Sequence, residues 1–220
     1  MRGAGIKMKV LVVGANGKVG KFLVKQLQDS KKHTVRAMVR KQEQLDVFEK
    51  NGIETCLADL EGTVSEIEEV LKGVDAIVFS AGAGGASIDK TLLIDLDGAV
   101  KTMEAAKNVG VKRFVLISTF QAHRREHWSK QLKSYYVAKH YADRMLEQMG
   151  LTYTIIRPGS LTNDPGTNHV QASVDLSYGT IPREDVARVV IASLDNEKTY
   201  NHGFDVTSGT LSIVEALDSL

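Results

Sequence analysis

The run Lys9-Val10-Leu11-Val12-Val13-Gly14-Ala15-Asn16-Gly17-Lys18-Val19-Gly20 sets the architecture. An apolar, β-type pentad enters a glycine turn, and the turn opens directly into an amphipathic segment, Lys18–Ser30. Glycines at such a strand–helix junction allow a tight turn, let the backbone approach a pyrophosphate, and let the helix pack against the strand. The start of the helix then offers free N–H groups and a positive dipole end to the phosphates. The spacing is G-x-x-G-x-x-G rather than G-x-G-x-x-G, a variant of the same turn. Because the chain has 19 glycines, the position of the pattern at the first strand–helix junction carries the argument, not the pattern itself. Gly14, Asn16, Gly17, Lys18, Val19 and Gly20 are therefore the candidate phosphate contacts of a dinucleotide.

Outward from this run, β-type stretches alternate with amphipathic ones. The strands are expected at Lys9–Val13, Thr34–Val39, Ile53–Leu57, Ala76–Ser80, Arg113–Ser118, Thr152–Arg157 and Gly203–Thr207. Helices are expected at Lys18–Ser30, Gln42–Lys50, Val64–Leu71, Asp89–Val109, Tyr135–Met149, Arg183–Leu194 and Ile213–Leu220. Strands of continuous Val, Ile and Leu are what a parallel sheet covered on both faces requires. Their alternation with helices predicts an α/β fold with a doubly wound parallel sheet, Rossmann-type. Without an internal repeat or a Pro/Ser-rich linker, residues 1–220 read as one domain. The stretch 162–182, outside the rhythm, and residues 209–220 are expected to form a small substrate-side region. Residues 1–7 read as a lead-in, with strand character beginning near Met8.

The second strand ends Met38-Val39-Arg40-Lys41, with no carboxylate to grip ribose hydroxyls. An arginine there can pair with a 2′-phosphate through its planar fork, so NADP (NADPH) is expected in preference to NAD. Asp59, just past the third strand and next to Leu60, is a candidate acceptor for the adenine amino group; a helix-approach aspartate would look the same.

Tyr135 and Lys139 lie four residues apart near the start of a helix and so share a face. The preceding strand ends Leu116-Ile117-Ser118-Thr119, and in a parallel sheet that end faces the ligand crevice. Ser118, Tyr135 and Lys139 form a candidate catalytic set. Lys139 is expected to lower the Tyr135 pKa so that the phenol can exchange a proton, and Ser118 to orient or polarise a carbonyl. Tyr136 and His140 show the same spacing one residue on, which leaves the register open. The polar loop His123–Trp128 is either a substrate lid or an ordinary solvated loop.

In this order the motifs resemble the short-chain dehydrogenase/reductase superfamily, in its atypical NAD(P)-binding, NmrA-like and epimerase/dehydratase-like branch. The resemblance covers nearly the whole chain: VVGANGKVG, the VR at Arg40, the ADL at Asp59, SAGAG from Ser80, IST at Ser118, YYVAKHYADRML, TIIRPGSL from Thr154, and IPREDVARVV. It implies that Ser80, Ala81 and Gly82 line the adenosine ribose. It also implies that Arg157 with Pro158, Gly159 and Ser160 forms the loop beside the nicotinamide, and that Ser118, Tyr135 and Lys139 are catalytic. Sugar-nucleotide epimerases carry a sizeable C-terminal substrate domain that this chain lacks, which argues against a nucleotide-sugar substrate. The implied activity is hydride transfer between NADPH and a small carbonyl, quinone-like or flavin-like substrate; the alternative is a cofactor-sensing regulatory protein without turnover.

Composition excludes other classes. Hydrophobic residues make up 43% and charged residues 25%, an ordinary globular mixture, and the net charge of +1 gives no reason to expect nucleic acid or an anionic membrane as partner. No apolar run could span a bilayer, and the first residues lack a signal-peptide core, so a cytoplasmic location is expected. The single cysteine, Cys56, excludes an internal disulfide and reads as a structural thiol. The 6 histidines have no metal-ligand spacing, and no metal is expected.

Overall fold

The computed structural model describes residues 7–85 and 87–220. The expected lead-in lies outside the described residues apart from Lys7. The elements run β1 (Lys9–Val13), α1 (Lys18–Ser30), β2 (Thr34–Val39), α2 (Gln42–Glu49), β3 (Glu54–Leu57), α3 (Val64–Leu71) and β4 (Ala76–Phe79). Then come α4 (Ile88–Lys90), a π-helical stretch (Thr91–Gly98), α5 (Ala99–Val109), β5 (Arg113–Ile117) and α6 (Lys133–Gln148). The chain continues through β6 (Thr152–Pro158), β7 (Ser160–Thr162), β8 (His169–Ser173), β9 (Thr180–Pro182), α7 (Arg183–Ser193), β10 (His202–Ser208), β11 (Leu211–Ser212) and α8 (Ile213–Asp218).

The main sheet has the order β11-β8-β10-β6-β5-β4-β1-β2-β3, and from β10 to β3 every pairing is parallel. The doubly wound sheet is thus present, with an antiparallel margin in which β8 pairs with β10 and β11 with β8. Alternate residues of β1 explain the two layers. Val10 and Val12 point into a core shared with Leu23, Val24 and Leu27 of α1 and Val186, Val189 and Val190 of α7. Leu11 and Val13 point into the other, with Ile67 of α3, Met103 of α5 and Leu146 of α6.

Two expectations need correction. The helix read over Asp89–Val109 is three joined segments whose centre is π-helical; a period of 3.6 in the sequence does not register an i→i+5 turn. The stretch 162–182 is not outside the sheet architecture, because β8 adds to the main sheet and β9 pairs with β7. These strands are short or marginal and carry polar residues such as His169, Gln171 and Ser173, so their apolar pattern is faint.

The strand order reverses between β1 and β4, and Val13 pairs with Phe79 at that reversal. The crevice beyond the carboxyl ends of β1, β4, β5 and β6 is where ligands bind in sheets of this kind.

Candidate active site

The glycine turn is built for close approach. Gly14 has φ +82, and a Cβ there would lie 2.7 Å from the backbone of Ala81. A side chain on Gly20 would run into the Gly14 carbonyl, so α1 can sit this close to β1 only with glycine. The Gly17 N–H donates to the Gly14 carbonyl at 2.9 Å, and a Cβ on Gly17 would stand 3.1 Å from that same oxygen. Asn16, Gly17 and Lys18 are exposed, Val19 is buried under the turn, and no side chain caps the start of α1. A bare, open turn followed by uncapped N–H groups fits a pyrophosphate.

Ser80 donates its hydroxyl to the Val13 carbonyl at 2.8 Å, tying the ends of β4 and β1 together, while Ala81 packs on Gly14. Gly82 lies open to solvent, and a Cβ on it would come within 2.9 Å of Asp95. Arg40 is exposed and its guanidinium makes no bond among the described residues; only its backbone N–H donates, to Gln44. Asp59 is exposed and accepts from the Glu61 N–H at 3.0 Å. The Leu60 side chain is buried in the core under the Gly98 turn.

At the end of β5, Ser118 is 4% exposed, its N–H donates to Ile156, and its Oγ, buried, has no partner. Lys139 is 2% exposed. Its Nζ donates to the Ile117 carbonyl at 2.8 Å and stands 4.0 Å from Asp95 Oδ1. Asp95 is supplied by the π-helical stretch and also accepts from the Ala83 N–H at 2.8 Å. This aspartate was not among the residues singled out from the sequence; its only signal is a carboxylate inside the apolar run Leu92-Leu93-Ile94-Asp95-Leu96.

The electrostatics run opposite to the expectation for Tyr135. Burial first, and the Asp95 charge second, push its phenol up to about 12, against a hydrogen bond with Thr119. Lys139 is not the cause of any lowering, because its charge is met by Asp95; burial drives its own pKa down while Asp95 and Asp143 pull it up. The rival pair is held elsewhere. Tyr136 stacks on Trp128 with centroids 5.8 Å apart. His140 Nδ1 is bonded to the Ala122 carbonyl at 2.9 Å.

The loop after β5 is anchored rather than free. Gln121, at φ +52, donates its N–H to Asp205 at 3.0 Å and its side-chain amide to the Leu176 carbonyl. Arg124 pairs with Asp175. Phe120 meets the Tyr178 ring edge-on at 5.7 Å, and the Tyr178 hydroxyl bonds to Ser160. Pro158 and Gly159 are buried and Ser160 is exposed. Segment 174–178 is thereby joined to the loops that follow β5 and β6. Cys56 is partly buried, and burial lifts its thiol to about 11.

A sequence family described as NAD(P)H-binding matches residues 14–197, from the glycine turn past α7. The chain belongs to this NAD(P)H-binding family. It is 56% identical over 214 residues to the uncharacterized sugar epimerase YhfK of Bacillus subtilis (strain 168), covering 97% of this chain and 100% of that one. The crystal structure of the oxidoreductase ylbE from Lactococcus lactis superposes with a TM-score of 0.87 at 35% identity, covering 97% of this chain and 96% of that chain. Sanguinarine reductase of Eschscholzia californica is 26% identical over 254 residues, covering 96% of this chain and 92% of that protein. The NAD(P)H-binding protein is thus oxidoreductase-like in family and Rossmann-like in fold, as its motifs imply. Among the described residues no helix is long and apolar enough to cross a membrane, and no group of three or more His, Cys, Asp or Glu is placed to hold a metal ion.

Proposed function

We propose that this chain is an NADP-dependent oxidoreductase acting on a small carbonyl, quinone-like or flavin-like substrate. The observation that carries the reading is a buried, unpartnered Ser118 Oγ at the end of β5, flanked by Ile117, whose carbonyl Lys139 reaches, and Thr119, which bonds to Tyr135. The relatives named as a reductase and an oxidoreductase support the same reaction class. A buried hydroxyl with no partner is costly to a fold unless a ligand completes it.

In this reading the glycine turn and the first N–H groups of α1 hold the pyrophosphate, and Arg40 takes the 2′-phosphate. A bound NADPH supplies the hydride. Ser118 donates a hydrogen bond to the substrate oxygen and fixes its position. Tyr135 then gives its proton to that oxygen as the carbonyl carbon is reduced, leaving a phenolate that regains a proton from solvent. The phenol, raised to about 12 by burial and Asp95, is neutral at physiological pH and so carries the proton to be given. Lys139, one turn along α6, holds its ammonium against the Ile117 carbonyl and Asp95, at the same end of β5. Asp95 acts through Lys139 as a positioning residue, since it neutralises the buried ammonium and ties it to the loop after β4. Segment 162–182 forms the substrate side, with residues 209–220 buttressing it where Leu211 pairs with Val170.

The test is NADPH consumption over a panel of aldehydes, ketones and quinones, with Tyr135→Phe beside the parent. Turnover by the parent and its loss in Tyr135→Phe is the expected result. NADPH binding without turnover of any acceptor would favour the regulatory alternative.

A further inference from the structure

A second cleft, of about 410 Å³, opens between α1 and the β7–α7 region, lined by Lys18, Lys21, Phe22, Lys25, Asn163 and Arg183. We propose that this cleft binds the phosphate of a phosphorylated small molecule. As a substrate subsite it rests on the oxidoreductase reading above; as an anion site it does not.

Charge is the first argument. The chain as a whole carries only +1, yet the residues lining this cleft include four cations and no carboxylate. Lys18, Lys21 and Lys25 fall on one stripe of α1, at spacings where like charges repel and weaken a helix. Lys25 is relieved by Asp29 at 2.5 Å, but Lys18 and Lys21 have no ion pair among the described residues. Lys18, at the glycine turn, is a candidate contact of the pyrophosphate, so the anion proposed for this cleft answers to Lys21 and Arg183.

The opposite wall is prepared for one. Arg183 Nη1 donates to Asn163 Oδ1 at 2.8 Å and to the Leu161 carbonyl at 3.2 Å. One corner of the guanidinium is thereby held in place, while Nε and Nη2 keep their donors uncommitted among the described residues. A planar fork fixed in advance, in a cleft shared with Lys21, is a donor set suited to phosphate. Phe22, 37% exposed, adds an apolar wall, so the ligand has an apolar body as well. The volume is in the range of small-molecule sites.

Position links the cleft to the chemistry. The first wall begins at the glycine turn that ends β1, and the second begins at Ser160, directly after Pro158 and Gly159. Both walls leave the carboxyl edge of the sheet, where Ser118 also lies. A substrate long enough to run from Ser118 to this cleft would have its phosphate directed along α1.

Calorimetry with phenyl phosphate on protein saturated with NADPH tests the proposal, with phenol as the uncharged control. Phenyl phosphate should bind, phenol should not, and Lys21→Ala should weaken binding several-fold. Lys21→Ala combined with Arg183→Ala should weaken it by tenfold or more, with NADPH affinity unchanged and circular dichroism confirming the fold. Arg183→Lys, which keeps the charge without the fork, should fall between. Equal binding by the double variant would overturn the proposal, as would displacement of phenyl phosphate by NADPH, which would put the anion in the dinucleotide's own site. If NADPH does not bind at all, the oxidoreductase reading fails, and the same titration on free protein still decides the cleft.

Discussion

Arg157 Nε donates to Asp143 Oδ2 at 2.8 Å, and both side chains are almost wholly buried. This pair joins β6 to α6, the helix that carries Tyr135 and Lys139, so the same contact holds the fold and aims the candidate site. Removing one partner leaves an uncompensated buried charge. Arg157→Ala should therefore lower unfolding free energy by about 3–5 kcal/mol, read from urea denaturation. Replacing both residues, Arg157→Met with Asp143→Leu, should cost less than the single change. A loss below about 1 kcal/mol for Arg157→Ala, the range of exposed pairs, would show that the pair is not the link described.

The proposed preference for NADP rests on Arg40. NADPH should bind more tightly than NADH, and Arg40→Asp should erase or reverse the preference. Loss of one charge-assisted contact is worth about 1.5–3 kcal/mol. Calorimetric titrations giving equal affinities for the two cofactors in the parent would remove the basis for NADP.

Gly17→Val should abolish dinucleotide binding and leave the protein folded. The position has φ −66, which valine adopts, and its Cβ meets only the Gly14 carbonyl, at 3.1 Å; the branched side chain would instead occupy the pyrophosphate's approach. Enhancement or quenching of NADPH fluorescence by the folded variant, equal to the parent's, would place the site elsewhere.

Asp95→Asn separates positioning from packing, because the amide is nearly isosteric with the carboxylate. Taking away this negative charge removes one cause of the raised Tyr135 pKa and one support of the Lys139 ammonium, so both values should fall. The alkaline limb of the kcat–pH profile should move to lower pH, with NADPH affinity nearly unchanged. An unshifted profile with altered thermal stability would mean that Asp95 only packs.

Asp205 offers a stability test away from the chemistry. Burial raises its carboxyl from 3.8 to about 6, against the Gln121 N–H and Arg157, and its Oδ2 has no partner. The folded state therefore holds this proton more tightly than the unfolded chain. Its contribution to stability is complete below pH 3.8 and is lost as pH rises to about 6. Asp205→Asn keeps an acceptor for Gln121 and should flatten stability against pH over that window. Parallel curves for parent and variant would refute the assignment.

Much of this was legible in the sequence because burial on two faces leaves a plain signature. Strands β1 and β2 match their expected limits, since strands covered on both sides are mostly apolar, here Val10–Val13 and Ala37–Val39. Strands β7, β8 and β9 escaped because short, polar strands at a margin have no such requirement. The candidate site could be read where spacing alone puts residues on one helix face, as for Tyr135 and Lys139 of α6. The choice between that pair and Tyr136 with His140 was not, since the two share a spacing and differ only in what packs on them, Trp128 and the Ala122 carbonyl. Asp95 was invisible for the same reason: its partners, Ala83 and Lys139, are distant in sequence.

The π-helical stretch Thr91–Gly98 has a consequence for how this chain tolerates length change. An i→i+5 turn holds one residue more than an α-turn of the same span, so the helix contains a residue that its packing does not require. Deleting a single residue from an α-helix misaligns everything beyond it. Deleting Leu92, exposed on the outer side, would let the stretch relax into an α-helix while α5 keeps its seat. The damage would fall on Asp95, swung by about 100° away from Lys139 and the Ala83 N–H. A shortened chain of this kind should express and fold, yet lose the arrangement around its buried ammonium.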